Sequence, residues 1–161
     1  MATTDTPPAA TDEATELWTT SYEGEVFGEA YFERMADLAT DEGEQSKLRA
    51  LATLERCTKE LLQPSMRRHG LPTAPGEDVL AGVAQLDEYD YPTVLASVLP
   101  FAGQYLGHYA RLRELVDSED AATVDQLIAH EMALEVFARR ELGGGGEDPL
   151  QPLRALSHVT L

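Results

Sequence analysis

Residues 21–32 read SYEGEVFGEAYF, and they decide the fold because apolar residues recur through and around them at the spacing of an α-helix. Steps of three and four residues place their members on one face of a helix. The members of this stripe are Trp18, Tyr22, Glu25, Glu29, Phe32, Ala36 and Ala39. Two glutamates thus stand on the face that a globular protein buries, where a lone carboxylate is costly unless something pairs with it. The stretch therefore predicts an amphipathic helix and a partner for its acids.

Helical periodicity extends over four segments of the chain, and almost no stretch has the alternation typical of a strand. The predicted boundaries follow from proline, glycine and capping residues at the segment ends. Pro64 is expected to end or bend the second helix, and Pro100 to bend the third. The four predicted helices span about residues 13–39, 44–62, 92–116 and 119–142. The pattern therefore predicts an all-α fold.

The connection between the second and third predicted helices is long. A glycine- and proline-rich break covers residues 69–76, and a short helix is expected from about 77 to 86. The remaining connections are short and predict helical hairpins. Two hairpins joined by one long crossover describe a ferritin-like four-helix bundle, and an up-and-down bundle with a decorated loop is the alternative.

The length of 161 residues fits one domain. Residues 1–12 are rich in Thr, Pro and Ala, and we expect them to form a disordered tail. The bundle is expected at 13–142, followed at 143–161 by a Gly-rich linker and a C-terminal segment with a short docking helix. Because helical faces of this kind commonly pair, we also expect a homodimer.

The charge of the chain argues against two classes of partner. There are 12 basic and 29 acidic residues, which give a formal net charge of −17. Such a surface repels the phosphates of nucleic acids and anionic lipids, so we expect neither a nucleic-acid partner nor a membrane partner. The single cysteine, Cys57, leaves no internal disulfide and no cysteine-built metal site. Together with the lack of a signal-peptide pattern, this predicts a cytoplasmic protein.

Acids occupy the predicted buried stripes of three helices. Glu25 stands on the first stripe, with Glu29 one turn later. Glu55 and Glu131 stand on the second and fourth stripes, each four residues after a leucine. A single glutamate beside a stripe can turn its tip to solvent, but three acids on three helices favour a shared partner. A cation is the economical partner for several carboxylates in the middle of a helix bundle.

These acidic runs resemble, in order and spacing, segments of the ferritin-like di-iron superfamily. The runs that carry the resemblance are EGE at 23–25, LATLE at 51–55 and residues 131–142. Within the superfamily the chain is most similar to the cyanobacterial aldehyde-deformylating oxygenases, and less similar to the rubrerythrins. The resemblance covers about residues 22–142 and implies iron or manganese bound inside the bundle. It implies that Glu25, Glu55 and Glu131 are ligands and that a small apolar molecule is oxidised beside them.

The chain departs from that family at its histidines. The family places them three residues after the second and third of these acids, where this chain has Thr58 and Leu134. A glutamate of the third helix is also missing, and Gln104 and His108 are the nearest polar residues there. Glu29 and His108 are therefore the expected substitute ligands, although His108 also suits a hydrogen-bonded position at the edge of the core. The expected metal set is Glu25, Glu29, Glu55, Glu131 and His108.

The resemblance also implies an apolar pocket beside the metal. Aromatic and small residues of the third helix are its expected walls, although aromatic residues at this spacing suit a core equally well. The expected pocket residues are Phe101, Ala102, Gln104, Tyr105, Thr58 and Leu134. Glycines at 24, 28, 103 and 107 reduce helix propensity by up to about 1 kcal/mol each, which predicts close helix contacts or room for a ligand. His130 is expected on the flank of its helix, and His69 and His158 in a loop or tail.

Two functions stay open from the sequence. One is oxidation at a metal held by carboxylates. The other is a metal-free protein that binds an apolar molecule or a partner without redox activity. In that case raised glutamate pKa values and pairing with Lys59, Arg56 or a histidine neutralise the acids. Chemistry at Cys57 is disfavoured because no histidine is spaced to activate its thiol.

Overall fold

A computed structural model of the chain describes residues 12–74 and 76–161, and within these ranges the protein is all-helical, with 79% helix and no strand. The helices are α1 (Asp12–Leu38), α2 (Glu42–Arg68), α3 (Glu77–Ala84), α4 (Tyr91–Leu115), α5 (Ser118–Gly143) and α6 (Gln151–Arg154). The predicted tail lies outside the described residues except for Asp12, which begins α1. None of the described helices is long and apolar enough to cross a membrane.

Short capped connections build two helical hairpins. Residues 39–41 join α1 to α2, and the side chain of Asp41 accepts a hydrogen bond from the backbone N–H of Glu44 at 2.9 Å. The side chain of Asp117, between α4 and α5, accepts from the N–H groups of Glu119 and Asp120 in the same way. Such caps satisfy amide groups that the first turn of a helix leaves free, so they fix where α2 and α5 begin. Connections this short place each pair of helices side by side and antiparallel.

The second helix is longer than its sequence predicts. A helix end near residue 62 is wrong, because α2 continues through Pro64 to Arg68. Ser65 and Met66, just beyond the proline, are fully buried, and Met66 packs into the core. Burial of this last turn against the rest of the molecule outweighs the local preference of proline to end a helix.

Asp120 ties the end of α2 to the start of α5. This aspartate is fully buried. It accepts hydrogen bonds from Ser65 Oγ at 2.6 Å and from His69 Nε2 at 2.7 Å, and it forms an ion pair with Arg68. Trp18 of α1 stacks on the His69 ring, with 5.9 Å between ring centroids. The buried carboxylate is thus compensated by three donors, two from the last turn of α2 and one from the residue that follows it.

The described residues form a core of two hydrophobic clusters. The first cluster forms where α1 and α5 end and where α2 and α4 begin. It includes Phe32, Leu51, Val94, Leu95, Phe137 and Leu153. The second cluster forms at the opposite ends of the same helices. It includes Trp18, Leu62, Met66, Tyr109, Leu112 and Leu127. Each long helix therefore contributes to both clusters.

Buried polar residues interrupt the apolar stripes between these clusters. On α2, Glu55 and Thr58 lie between the turns that enter the first and the second cluster. On α5, His130 and Glu131 lie at the corresponding place. Glu25 of α1 is buried as well. The middle of the molecule is therefore polar although it is shielded from solvent.

Two short helices cover the outside of the long ones. Helix α3 lies in the long connection between α2 and α4 and packs on α1, with Val83 buried. Helix α6 packs on α5, and its Leu153 joins the first cluster together with Val159. The segment after α5 thus returns to the body of the protein, and it brings His158 next to Thr58.

Candidate metal centre

One imidazole and three carboxylates converge in the polar middle of the molecule. His130 Nε2 lies 3.7 Å from Glu55 Oε1, 3.9 Å from Glu131 Oε1 and 4.0 Å from Glu25 Oε2. These distances are longer than hydrogen bonds. Ligand atoms of Glu25, His130 and Glu131 all lie within 4.8 Å of one another. Metal–ligand bonds of about 2.0–2.2 Å hold ligand atoms at roughly 3–4 Å from each other, so this group can surround a single ion with little adjustment.

His130 is a central member of this group, so the prediction that it lies on the flank of its helix is wrong. Its side chain is only 1% exposed. The position falls three residues after Leu127 and four before Leu134, both of which are buried. That spacing belongs to the apolar face of the helix and is the signal that identifies His130 from the sequence. Burial, followed by the nearby His158, lowers the pKa of His130 to about 3, so its imidazole is neutral near pH 7.

The second imidazole nitrogen of His130 is held by a threonine. Its Nδ1 lies 2.7 Å from Thr58 Oγ1. The same hydroxyl donates a hydrogen bond to the backbone carbonyl of Leu54 at 3.0 Å and lies 3.0 Å from His158 Nε2. Metal-binding histidines usually have such a partner on the nitrogen that does not bind the ion. Thr58 is therefore placed behind the candidate ligand and not beside the acids.

Burial raises the pKa values of all three carboxyl groups. For Glu25 the pKa lies well above its ordinary value, mainly because of burial and then because of the charge of Glu55. For Glu55 it rises to about 8, with burial as the main cause and the charges of Glu131 and Glu29 adding to it. The pKa of Glu131 is raised by burial and by the charge of Glu25. Without a cation, the environment therefore favours the neutral, protonated form of each of these groups.

The hydrogen bonding of the Glu25 carboxylate indicates that the group suits a cation. Glu25 Oε1 accepts a hydrogen bond from the Tyr109 hydroxyl at 3.3 Å. Glu25 Oε2 is buried, has no hydrogen-bond partner among the described residues, and points to the group around His130 Nε2. A buried acceptor without a partner costs about 1–3 kcal/mol, and an ion bound here removes that cost. Carboxylate oxygens and a neutral imidazole are also ligand types that divalent transition metals accept.

Two of the predicted ligands, Glu29 and His108, contact other groups in the structure. Glu29 forms an ion pair with Lys59 in a second pocket, which is lined by residues of α1, α2 and α3. His108 Nε2 donates to the backbone carbonyl of Leu17 at 2.8 Å and lies 3.1 Å from Ser21 Oγ. The structure therefore does not bring Glu29 or His108 to the group of Glu25, His130 and Glu131, although the sequence predicts them as substitute ligands. His130 occupies that place instead.

A cavity of about 480 Å³ opens beside the acids. Glu25, Glu55 and Glu131 line its buried end, and Phe27 and Phe101, which are 41% and 55% exposed, line its outer part. Five of the predicted pocket residues line it, namely Phe101, Ala102, Gln104, Tyr105 and Leu134. Thr58 is not among its lining residues. A pocket with apolar walls and polar groups at one end suits a small, mostly apolar molecule.

Two glycines of α1 create room around the acids. A Cβ atom on Gly24 would lie 2.3 Å from the Tyr105 hydroxyl oxygen, and one on Gly28 would lie 2.6 Å from Glu55 Oε2. Both are closer than real Cβ contacts, so these side chains occupy space that any other residue would fill. Gly103 and Gly107 of α4 have no such neighbour within 4 Å among the described residues. The predicted close approach therefore occurs at the glycines of α1.

Comparison of the chain with protein-family models, with curated proteins and with solved structures found no match. The side chains of the site themselves indicate its chemistry. These provide a buried, neutral imidazole, three carboxyl groups at its free nitrogen, and an apolar cavity that reaches the same carboxyl groups. The arrangement can bind a divalent ion at the inner end of a space for a small molecule.

Proposed function

We propose that the chain is a ferritin-like four-helix bundle that binds an iron or manganese ion through Glu25, His130 and Glu131 and oxidises a small apolar molecule in the adjacent cavity. The observation that carries this proposal is the convergence of three carboxylates on the neutral imidazole of His130, with the partnerless oxygen of Glu25 among them. Four donor residues suit one ion better than the two ions of the resembled family, which uses six.

The positions of the two core clusters support a ferritin-like chain path. Helices α2 and α4 both begin at the first cluster and end at the second. After α2 the chain must therefore return along the length of the bundle before α4 begins, and the connection at 69–90 with α3 has the length to do so. A long crossover of this kind distinguishes ferritin-like bundles from up-and-down bundles. A homodimer remains a prediction.

Residues of this chain would divide the work as follows. Glu25, His130 and Glu131 bind the ion, and Glu55 faces the same imidazole as a further carboxylate donor. The bound ion would supply one-electron redox chemistry, with dioxygen or a peroxide as the oxidant. The Tyr109 hydroxyl holds Glu25 Oε1 and orients its second oxygen toward the ion. The aromatic walls of the cavity hold the apolar molecule and keep water away from the ion.

A metal-free binding protein is the second candidate function. It is favoured by the raised pKa values, since protonated Glu25, Glu55 and Glu131 carry no charge and a neutral His130 accepts burial. In that case the cavity binds an apolar molecule without redox chemistry. The two candidate functions differ in whether the protein binds an ion. They also differ in whether replacing one of the acids raises the melting temperature.

Metal content decides between them. Protein purified from cells supplied with iron and manganese should contain close to one ion per chain, and Glu131→Gln should lose it because a ligand is removed. Glu135→Gln is the matched control, since Glu135 lies one turn later on α5 and pairs with Arg139 at the surface. Iron-loaded wild-type protein should also consume dioxygen with ascorbate faster than Glu131→Gln. If the wild-type protein holds no ion and Glu131→Gln raises the melting temperature, the metal-free function is correct.

Alanine at Gly28 should weaken metal binding without unfolding the protein. The added Cβ would lie 2.6 Å from Glu55 Oε2 and 2.7 Å from its Cδ, so the flexible carboxyl end of Glu55 must move. We expect the affinity for Mn²⁺ to fall by about 10-fold. Changes to groups next to a metal site typically reduce metal affinity by about 10- to 100-fold, and this displacement is small. Alanine also favours the helix by about 1 kcal/mol relative to glycine. This gain should offset the cost of moving Glu55, so the free energy of unfolding should change little.

Gly107→Ala provides the control for that experiment. Gly107 lies on the exposed side of α4, with no described atom within 4 Å of an added Cβ. It should gain up to about 1 kcal/mol in urea unfolding and keep wild-type affinity for Mn²⁺. Equal affinities in Gly28→Ala and Gly107→Ala would contradict a role for the position of the Glu55 carboxylate.

A further inference from the structure

Thr58 is the point where the site differs most from a standard carboxylate–histidine motif. It lies three residues after Glu55 and is fully buried. Its hydroxyl meets three groups at hydrogen-bond distance: the Leu54 carbonyl at 3.0 Å, His130 Nδ1 at 2.7 Å and His158 Nε2 at 3.0 Å. Helix α2 thus contributes no imidazole here and instead contacts one that α5 supplies.

The hydrogens available to these groups indicate which nitrogen of His130 is protonated. A threonine hydroxyl has one hydrogen and two lone pairs. The hydroxyl donates its hydrogen to the Leu54 carbonyl, and the carboxylate oxygens that face His130 Nε2 lie 3.7–4.0 Å away, too far to accept a proton from that nitrogen. Both imidazoles must then donate to the oxygen, His130 through Nδ1–H and His158 through Nε2–H. A neutral imidazole protonated at Nδ1 has an unprotonated Nε2, and Nε2 is the atom that faces Glu25, Glu55 and Glu131.

We propose that Thr58 is a positioning residue whose hydroxyl holds His130 in the Nδ1–H tautomer, so that the lone pair of Nε2 faces the three carboxyl groups. The inference rests on the proposed metal site for its purpose, because a metal ion needs that lone pair. The tautomer of His130, however, is a property of the metal-free protein and can be measured without an ion. Replacing the hydroxyl leaves Nδ1 without an acceptor, and the proton is then expected on Nε2, where a shift of less than about 1 Å brings the Glu55 oxygen, now 3.7 Å away, to hydrogen-bond distance.

The other histidines provide an internal reference. His108 Nε2 lies 2.8 Å from the Leu17 carbonyl, and His69 Nε2 lies 2.7 Å from Asp120 Oδ2. Both acceptors require a protonated Nε2, as Thr58 does for His158. The sequence contains four histidines, and all of them lie in the described ranges. His130 is therefore expected to be the one with the opposite tautomer.

Nitrogen-15 NMR of the metal-free wild-type protein tests this directly. Long-range proton–nitrogen spectra at pH 7.5, roughly one unit above the ordinary histidine pKa, distinguish the two tautomers of each ring. His69→Gln, His108→Gln and His158→Gln each remove one set of signals and so leave those of His130. We expect three rings protonated at Nε2 and His130 protonated at Nδ1. A His130 ring protonated at Nε2 would overturn the proposal, whether or not the protein binds metal.

Thr58→Val and Thr58→Ser then test the hydroxyl. Valine keeps the shape of threonine without the oxygen, so His130 should change tautomer and the affinity for Mn²⁺ should fall by about 10- to 100-fold. Serine restores the hydroxyl and should restore both properties. An unchanged tautomer in a folded Thr58→Val would refute the role of Thr58, and if that variant does not fold, the wild-type spectrum still decides. Wild-type protein with the expected tautomer but no affinity for metal would refute the proposed function alone.

Discussion

Glu25→Gln is expected to abolish tight metal binding and to leave the helical fold intact. The substitution keeps the size of the side chain but replaces a carboxylate oxygen that is buried without a hydrogen-bond partner among the described residues. Loss of a direct ligand should reduce the affinity for Mn²⁺ by more than the roughly 100-fold that loss of a neighbouring group can cost. Isothermal titration of the metal-free protein measures the affinity, and circular dichroism measures the helix content.

The metal-free form of Glu25→Gln should melt at the wild-type temperature or above it. Burial and the charge of Glu55 raise the pKa of Glu25, which means that its charged form is unfavourable in the folded protein. A neutral amide avoids that state. The same variant therefore loses metal affinity and keeps or gains stability, which separates loss of a ligand from general damage to the fold.

Glu29→Gln is the matched control, because it makes the same change one turn later on α1. Glu29 pairs with Lys59 and lies outside the metal group. Its affinity for Mn²⁺ should stay within about threefold of wild type, a free-energy difference below about 0.7 kcal/mol. A loss in Glu29→Gln as large as that in Glu25→Gln would contradict the assignment of ligands and would favour the set first expected from the sequence.

Asp120→Asn is expected to cause the largest loss of stability. The aspartate is fully buried, and its carboxylate compensates Arg68 and accepts hydrogen bonds from Ser65 and His69. An asparagine side chain is neutral and presents an N–H group to one of these donors. We expect the free energy of unfolding in urea to fall by about 2–3 kcal/mol, because a charge-assisted network is left incomplete.

Asp125→Asn, on the same helix, shows what the identical change costs at the surface. Asp125 pairs with Arg113, and both side chains are largely exposed. Exposed pairs of this kind contribute about 0–1 kcal/mol. Similar losses in the two variants would mean that the network around Asp120 adds little beyond an ordinary surface ion pair.

The sequence predicts the helices and three of the acids for a simple physical reason. Apolar spacing is a local property of each helix, so it places Glu25, Glu55 and Glu131 on buried faces without knowledge of the neighbours. The structure brings all three to one cavity. What each acid meets there depends on how helices pack, and no spacing within one helix contains that information.

Partners from other helices explain where the sequence interpretation failed. Glu29 shares the stripe of Glu25, yet Lys59 of α2 lies within reach and holds it outside the group. His108 finds the backbone of α1. His130 has the spacing of a buried residue, but a polar residue next to an acid is easily placed on the flank. The hydroxyl of Thr58 that supports its burial comes from α2. The last turn of α2 is likewise stabilised by burial, which the sequence does not reveal because Pro64 is expected to end the helix.

The division of the core into two clusters predicts that the two ends of the molecule can open separately. The polar layer between them contributes little hydrophobic stabilisation when its carboxyl groups are protonated and no ion links them. Amide hydrogens in the first and second clusters should then exchange with separate opening free energies, since either end can loosen while the other stays packed. An ion bound to side chains of α1 and α5 would fasten the layer across the bundle and make the two ends open together.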